Sequence, residues 1–78
     1  MNKIRLKKLE TLVSNLEDLR DELEGYKDEE QEYVDNTPDN LQSSERYEQA
    51  ETNVDYMDDA FNSLEDAISS LRDMIDEN

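Results

Sequence analysis

The stretch VDNTPDNLQSSERYEQ, from Val34 to Gln49, interrupts a chain that otherwise repeats in sevens. It contains the only proline, Pro38, among small polar residues. Proline suits the first position of a helix, where its missing N–H is not needed, and Thr37 before it is a suitable N-cap. We therefore interpret the stretch as a turn, at about residues 35–37, between two helices.

The apolar residues before the turn are spaced by three and four. They are Leu9, Leu12, Leu16, Leu19, Leu23 and Tyr26, and the stripe resumes at Tyr33 after Glu30. A mean step of 3.5 residues keeps one face of a helix against a partner helix and favours a left-handed supercoil. The spacing predicts a first helix over about residues 3–34, continuous through Gly25.

The residues after the turn repeat the same spacing. Their stripe consists of Tyr47, Ala50, Val54, Met57, Phe61, Leu64, Ile68, Leu71 and Ile75, flanked by Ala60, Ala67 and Met74. This predicts a second helix over about residues 38–76. An alternative start, capped by Ser43 or Ser44, leaves a short helical turn before it. A three-helix arrangement, with the second helix broken near Ser44, is a further alternative.

The composition is that of a small, thin protein. The 78 residues, interpreted as a single domain over residues 1–78, are 33% apolar and 40% charged. That balance suits either disorder or long exposed helices, and the heptad spacing favours the helices. There is no apolar run of membrane-spanning length and no signal-peptide pattern after the basic start. We expect a cytoplasmic protein that does not contact membranes.

A short connection between two long helices favours antiparallel neighbours. Cations crowd the start of the first helix and carboxylates crowd the end of the second, so an antiparallel hairpin brings opposite charges together. We therefore predict an all-α fold, an antiparallel helical hairpin of the coiled-coil type. In the predicted register Leu16 faces Met57 and Leu12 faces Phe61.

This register leaves the end of the second helix uncovered. Leu71, Met74 and Ile75 extend to or past the start of the first helix, and we predict that they support self-association. The simplest assembly is a homodimer that forms a four-helix bundle. The alternative is a monomeric hairpin whose open side receives another protein.

The residue types that carry catalysis are missing or isolated. Without Cys and His the chain has no disulfide, no thiolate ligand and no imidazole base. Its serines therefore lack the usual activating partner. Glu30 is the one carboxylate on the first stripe, fewer than bundle metal sites place on the inward face. We expect no enzyme, no catalytic residue, no cofactor and no metal site.

Negative charge is the main functional feature. The net charge is −15, and twelve acidic residues between Asp28 and Asp59 are opposed only by Arg46. Carboxylates three or four residues apart on a helix lie about 5–6 Å apart, so rows of them imitate a phosphate backbone. The candidate partner-binding surface consists of Glu48, Glu51, Asp55, Asp58, Asp59, Asp28, Glu29 and Glu32.

This charge argues against direct contact with nucleic acid, and favours a protein partner with a basic or nucleic-acid-binding surface. An ordinary solvated face that keeps a thin coiled coil soluble is the alternative interpretation.

The tyrosines suggest two roles. Tyr26, Tyr33 and Tyr47 lie on or near the stripes, where we expect them to pack the loop end of the core. Tyr56 lies off the stripe and is the candidate aromatic contact with a partner. Near the break, we expect Arg46 to pair with a carboxylate such as Asp35 or Asp39.

The segments NTPDNLQSSERYE (Asn36–Glu48) and LEDAISSLRD (Leu64–Asp73) resemble small acidic coiled-coil proteins of unassigned function from Gram-positive bacteria, their phages and mobile elements. The pattern Asn-x-Pro-x-x-Leu-Gln-x-Ser-Glu-Arg is met by Asn36, Pro38, Leu41, Gln42, Ser44, Glu45 and Arg46. Those proteins carry an aliphatic residue in place of Thr37 and Gly in place of Tyr47. The resemblance implies a phage or mobile-element setting in a bacterial host cell, and no particular activity.

These features together predict a non-enzymatic acidic protein-binding module. The most specific hypothesis is an inhibitor that mimics nucleic-acid charge and blocks a DNA-handling or host-defence protein. It rests on analogy with small acidic proteins of that setting. One alternative is a structural or scaffolding coiled coil whose main partner is itself or a virion or regulatory protein. Another is an antitoxin-like cap on a basic protein.

Overall fold

The computed structural model describes all 78 residues as two long helices joined by a compact loop. Helix α1 spans Lys3–Asp35 and helix α2 spans Glu45–Glu77, and a short 3-10 helix at Asp39–Leu41 lies between them. The two helices pack side by side in a rod of 60 × 15 × 14 Å. The N-terminal ammonium of Met1 donates to Asn78 Oδ1 at 3.2 Å, so the helices run antiparallel. The prediction of an all-α helical hairpin is confirmed.

Helix α1 has the extent that its apolar spacing predicts. The Asn2 side chain caps its start by accepting a hydrogen bond from the Arg5 backbone N–H at 2.7 Å. The helix continues without a break through Gly25 and ends at the C-cap residue Asn36. One glycine lowers the intrinsic stability of the helix only slightly. The 33-residue helix is stabilised mainly by packing along its length, so it continues through Gly25.

Helix α2 begins later than predicted. Its N-cap is Ser44, whose hydroxyl oxygen accepts the Tyr47 backbone N–H at 3.2 Å. The predicted cap, Thr37, instead donates its hydroxyl to the Tyr33 carbonyl at 2.7 Å and so completes the end of α1. The predicted bounds of the turn (35–37) and the start of the second helix at residue 38 are therefore wrong. The structure has the alternative in which a short helical turn precedes a Ser44-capped helix.

The seam of α1 also differs from the predicted one. Its shielded residues are Leu6, Leu9, Val13, Leu16, Arg20, Leu23, Lys27, Glu30 and Val34, again at steps of three and four. The predicted seam residues that are exposed instead are Leu12, Leu19, Tyr26 and Tyr33. Both stripes share Leu9, Leu16 and Leu23, so a small rotation of α1 about its axis exchanges one stripe for the other.

Two cations occupy this seam. The Arg20 guanidinium bonds to Glu65 at 2.7 Å, and the Lys27 ammonium lies 3.3 Å from Asp58. Lys27 also lies 5.0 Å from the centre of the Phe61 ring. Long basic side chains cover apolar surface with their stems while their heads reach carboxylates at the edge of the seam. Because Lys27 lies over Phe61, the predicted pairing of Leu12 with Phe61 is wrong.

The observed register places the end of α2 alongside α1, since Arg20 pairs with Glu65 and Lys27 with Asp58. Leu71, Met74 and Ile75 are each partly shielded, so the expectation that they project uncovered past α1 is wrong. The basic start and the acidic end do meet, but the four ion pairs of the hairpin lie elsewhere, in its middle. Self-association through these three residues stays a prediction.

The hydrophobic core is small. Only Val13, Ala50 and Ile68 are buried. We expect Ile68→Ala to lower the free energy of unfolding by about 2–5 kcal/mol, because it removes buried methyl groups and leaves a cavity. Urea unfolding followed by circular dichroism measures this. Ile4→Ala is the matched control, since Ile4 is 74% exposed; equal losses from the two variants would contradict the observed seam.

The start of α2 is tested by its two adjacent serines. Ser44→Ala should lower the free energy of unfolding by about 1 kcal/mol, because the Tyr47 N–H loses its acceptor. Ser43→Ala, one residue earlier, should change it by less than about 0.5 kcal/mol. A larger effect at Ser43 than at Ser44 in thermal unfolding would place the cap elsewhere.

Candidate functional site

One side of the hairpin carries charges from both helices. The ion pairs between helices, Arg72–Glu17, Arg20–Glu65 and Lys27–Asp58, all lie there. Its residues recur every seven positions, and we call this side the charged flank: Glu10, Glu17 and Glu24 on α1, with Glu51, Asp58, Glu65 and Arg72 on α2. Seven residues make about two helical turns, so each set forms one row along its helix.

Most of the predicted acidic surface lies on or beside the charged flank. Glu51 and Asp58 belong to it, and Glu48 and Asp55 lie one helical turn from Glu51 on the same side of α2. Asp28 follows Lys27, which contacts Asp58, so it lies beside the same part of α2. All five side chains are exposed. The structure therefore brings these five carboxylates of the predicted set together.

The other three predicted carboxylates lie elsewhere. Asp59 and Glu32 are exposed on the outward surfaces of their helices, away from the partner helix. Glu29 and Glu32 line an open groove of about 680 Å³ beside the loop, together with Tyr33 and Arg46. The eight residues are therefore not one continuous surface.

Few of the carboxylates are neutralised. The ion pairs of the structure involve Asp21, Glu65, Asp58 and Glu17, which are four of the 23 acidic residues. The hydrogen bonds that Arg20 donates to Asp21 and Glu65 raise the pKa of its guanidinium, so the charge of Arg20 is already paired within the hairpin. The fields of the unpaired carboxylates add together and make the potential along the rod negative.

The opposite side of the hairpin has a different character. We call it the apolar flank: Leu12, Leu19, Tyr26 and Tyr33 on α1, with Ala60 and Ala67 on α2. The four α1 residues are seven apart and exposed. Tyr33 lies 6.0 Å from the Arg46 guanidinium, and Arg46, Asn53, Ala60 and Ala67 are also seven apart. The two rows therefore run side by side on one face of the hairpin.

Sequence reasoning missed this flank because its α1 row was assigned to the seam. The signal that distinguishes it is the strict seven-residue spacing of Leu12, Leu19, Tyr26 and Tyr33, in parallel with Ala60 and Ala67. A row at one heptad position lies beside a seam, whereas a seam alternates between two positions.

The tyrosines and Arg46 take positions that differ in part from those expected. Tyr47 is partly shielded, as a core residue would be, but Tyr26 and Tyr33 are exposed. Arg46 lies over the Tyr33 ring instead of pairing with Asp35 or Asp39. Tyr56 is 71% exposed, and its contact with a partner stays a prediction.

No group of three or more carboxylates is arranged to hold a metal ion. Neither helix contains a segment long and apolar enough to cross a membrane. Comparison with protein-family models, with curated proteins and with solved structures finds no match for this chain.

Tyr26 is held on the apolar flank by a carboxylate. Its hydroxyl donates to Glu22 Oε1 at 2.9 Å, and this hydrogen bond raises the pKa of Tyr26. Deprotonation breaks the bond and leaves two anions side by side, so the stabilisation is present below about pH 10 and is lost as pH rises through the raised pKa.

Replacing the carboxylate tests this contact. We expect Glu22→Gln to lower the pKa of Tyr26 towards its usual value, measured by tyrosinate absorbance against a Tyr26→Phe reference. The matched control is Glu24→Gln, on the other side of α1, which should leave the titration unchanged. If Tyr26 had the same pKa in the unaltered protein, in Glu22→Gln and in Glu24→Gln, the contact would be contradicted.

Proposed function

We propose that this hairpin is a non-enzymatic protein-binding module that acts through its charged flank. Its partner is a protein with a basic or nucleic-acid-binding surface, and the flank imitates the charge of the nucleic acid. The supporting observation is that the carboxylates of Glu48, Glu51 and Asp55 are exposed, lie on one side of α2 and have no basic partner. Such an array raises the encounter rate with a basic surface.

The biological setting that we propose follows from the sequence resemblance. Small acidic coiled-coil proteins of phages and mobile elements suggest an inhibitor of a DNA-handling or host-defence protein in the bacterial cytoplasm. The rod supports this proposal by its shape, because a 60 Å rod only about 15 Å wide fits an elongated cleft. Its charge excludes the nucleic acid itself as the favoured ligand.

We also propose that the hairpin self-associates as a homodimer. The supporting observation is that only three residues are buried, whereas domains of this size usually need oligomerisation or another added constraint to be stable. Self-association is also the basis of the second candidate function, a scaffolding coiled coil whose main partner is itself. The exposed row of Leu12, Leu19 and Tyr26 favours this candidate.

The inhibitor proposal is tested by neutralising part of the charged flank. The variant is Glu48→Gln, Glu51→Gln and Asp55→Asn, used as bait against extract of a Gram-positive host, with salt elution and duplex DNA as competitor. We expect the captured protein to bind the variant at least about tenfold more weakly. The variant loses hydrogen bonds to charged carboxylates, and each of these contributes roughly 1.5–3 kcal/mol. Duplex DNA should release it from the unaltered hairpin.

The control changes the net charge equally at another place. Asp18→Asn, Asp66→Asn and Asp73→Asn neutralise three exposed carboxylates on outward positions nearer the termini. This variant should bind as the unaltered hairpin does. Equal weakening by both variants would mean that only net charge matters, and binding that resists salt and DNA would favour the scaffold.

A further inference from the structure

The apolar flank has no covering element within the hairpin. Leu19 is 55% exposed and Tyr26 is 54% exposed, and the row continues to Leu12 and Tyr33. Single exposed apolar residues are ordinary on protein surfaces, but a contiguous row is typical of an interface. The row extends over about 30 Å, at roughly 1.5 Å per residue.

Helix α2 continues this face without carboxylates. From Gln49 through Ala60 to Met74, the residues at steps of four and three on this side are all uncharged. Charged residues make up 40% of the chain, so this is an exception to its composition. Several are Ala or Ser, whose short side chains let another helix approach closely.

We propose that the apolar flank is covered by the apolar flank of a second copy of this chain, with the two hairpins antiparallel. The pair then forms a four-helix bundle in which α1 packs on α1 of the second copy and α2 on α2. This inference rests on the proposed self-association and assigns it a surface. That surface reaches Met74 but does not include Leu71 and Ile75, which lie on the seam.

The area of the flank fits a second copy. Along α2, from Gln49 to Met74, the face is about 40 Å long, and it is as wide as the 15 Å rod. These dimensions give roughly 600 Å² per copy when the face is treated as flat. Two copies therefore bury about 1,200 Å² or more, within the range of specific protein interfaces. The α2 part of the second copy's face is equally uncharged. On the α1 part, the Glu22 carboxylate already accepts the Tyr26 hydroxyl within its own hairpin. Most surfaces of an acidic or basic partner would instead bury unpaired charge against the α2 part.

The distribution of charge decides the orientation. Residues 28–59, the loop end, carry −11 of the total −15, which leaves −4 for the end with the termini. Parallel hairpins would place the two loop ends together, and like charges would repel. Antiparallel hairpins place each loop end beside the other copy's basic start, where Arg5 and Lys8 lie on the same side as Leu12.

The arrangement leaves both charged flanks free. Each is on the side of its hairpin away from the second copy, so the dimer presents two polyanionic faces in opposite directions. Linking two sites in this way raises the apparent affinity for a partner that is itself dimeric.

Sedimentation equilibrium of the full chain tests the surface. We expect a dimer at tens of micromolar, and a dissociation constant at least about tenfold higher for Leu19→Gln with Tyr26→Gln, the range typical of central interface residues. Ile4→Gln with Leu41→Gln is the matched control, because it removes two other exposed apolar residues and should leave the constant unchanged. Circular dichroism checks that both variants are helical.

Cysteine cross-linking tests the orientation and does not depend on the first variant folding. The chain has no cysteine, so one introduced thiol reports one position. Glu22→Cys, at the middle of the flank between Leu19 and Tyr26, should form a disulfide-linked dimer under mild oxidation. Asn40→Cys, in the loop, should not, because antiparallel loops lie at opposite ends of the 60 Å rod.

The outcomes separate this inference from the proposals on which it rests. Cross-linking at position 40 and not at position 22 overturns the antiparallel arrangement. A dimer that the Leu19 and Tyr26 changes do not weaken overturns the assigned surface while self-association stands, and a strict monomer overturns both. Raising salt from about 0.02 M to about 0.5 M should strengthen the dimer, because it screens repulsion between copies, whereas it should weaken binding to a basic partner.

Discussion

The packing of the hairpin depends on two basic side chains that lie between its helices. Arg20 and Lys27 each occupy a seam position on α1 and reach a carboxylate of α2, Glu65 and Asp58. An apolar side chain accepts many neighbours at similar free energy, but a cation in a partly shielded seam must have its counter-charge within reach. These two contacts therefore select one rotation of α1 and one register between the helices.

That selection divides the surface of the molecule. With Arg20 and Lys27 turned inward, the carboxylates that pair with them and their neighbours form the charged flank. The same rotation turns Leu19 and Tyr26 outward on the other side. The rotation also explains the small core, because two cations take seam positions that apolar residues fill elsewhere. The molecule is thus a thin rod with one side suited to a basic partner and the other suited to an apolar one.

The two sides allow the proposed functions to coexist. The proposed self-association would use the apolar flank and leave the carboxylates of the charged flank in solvent, available to the proposed basic partner. Because neighbouring carboxylates repel one another, the charged flank is itself a cost to stability at low salt. Burial of the apolar flank in a dimer would offset that cost. Opposite responses to salt would distinguish the two proposed interactions in one molecule.

The sequence by itself determined the elements of this fold. The steps of three and four predict both helices, and a short polar break with one proline predicts that they fold back. It also predicts α1 through Gly25, the complete seam of α2 and the position of Tyr56 outside it. The eight candidate carboxylates are all exposed, and the structure gathers five of them on one side.

Only the tertiary structure decided which stripe of α1 faces α2. Leu9, Leu16 and Leu23 are common to two stripes, and counting apolar residues favours the one with Leu12, Leu19 and Tyr26. The structure uses the other, since the stems of Arg20 and Lys27 cover α2 while their charges meet Glu65 and Asp58. The tertiary structure also decided where α2 starts, because the Ser44 hydroxyl accepts the Tyr47 N–H and caps the helix after the loop. The spacing of residues within one helix does not show where their counter-charges lie on the other helix. The register between the helices, and the residues that are left exposed, are therefore fixed only when the two helices pack.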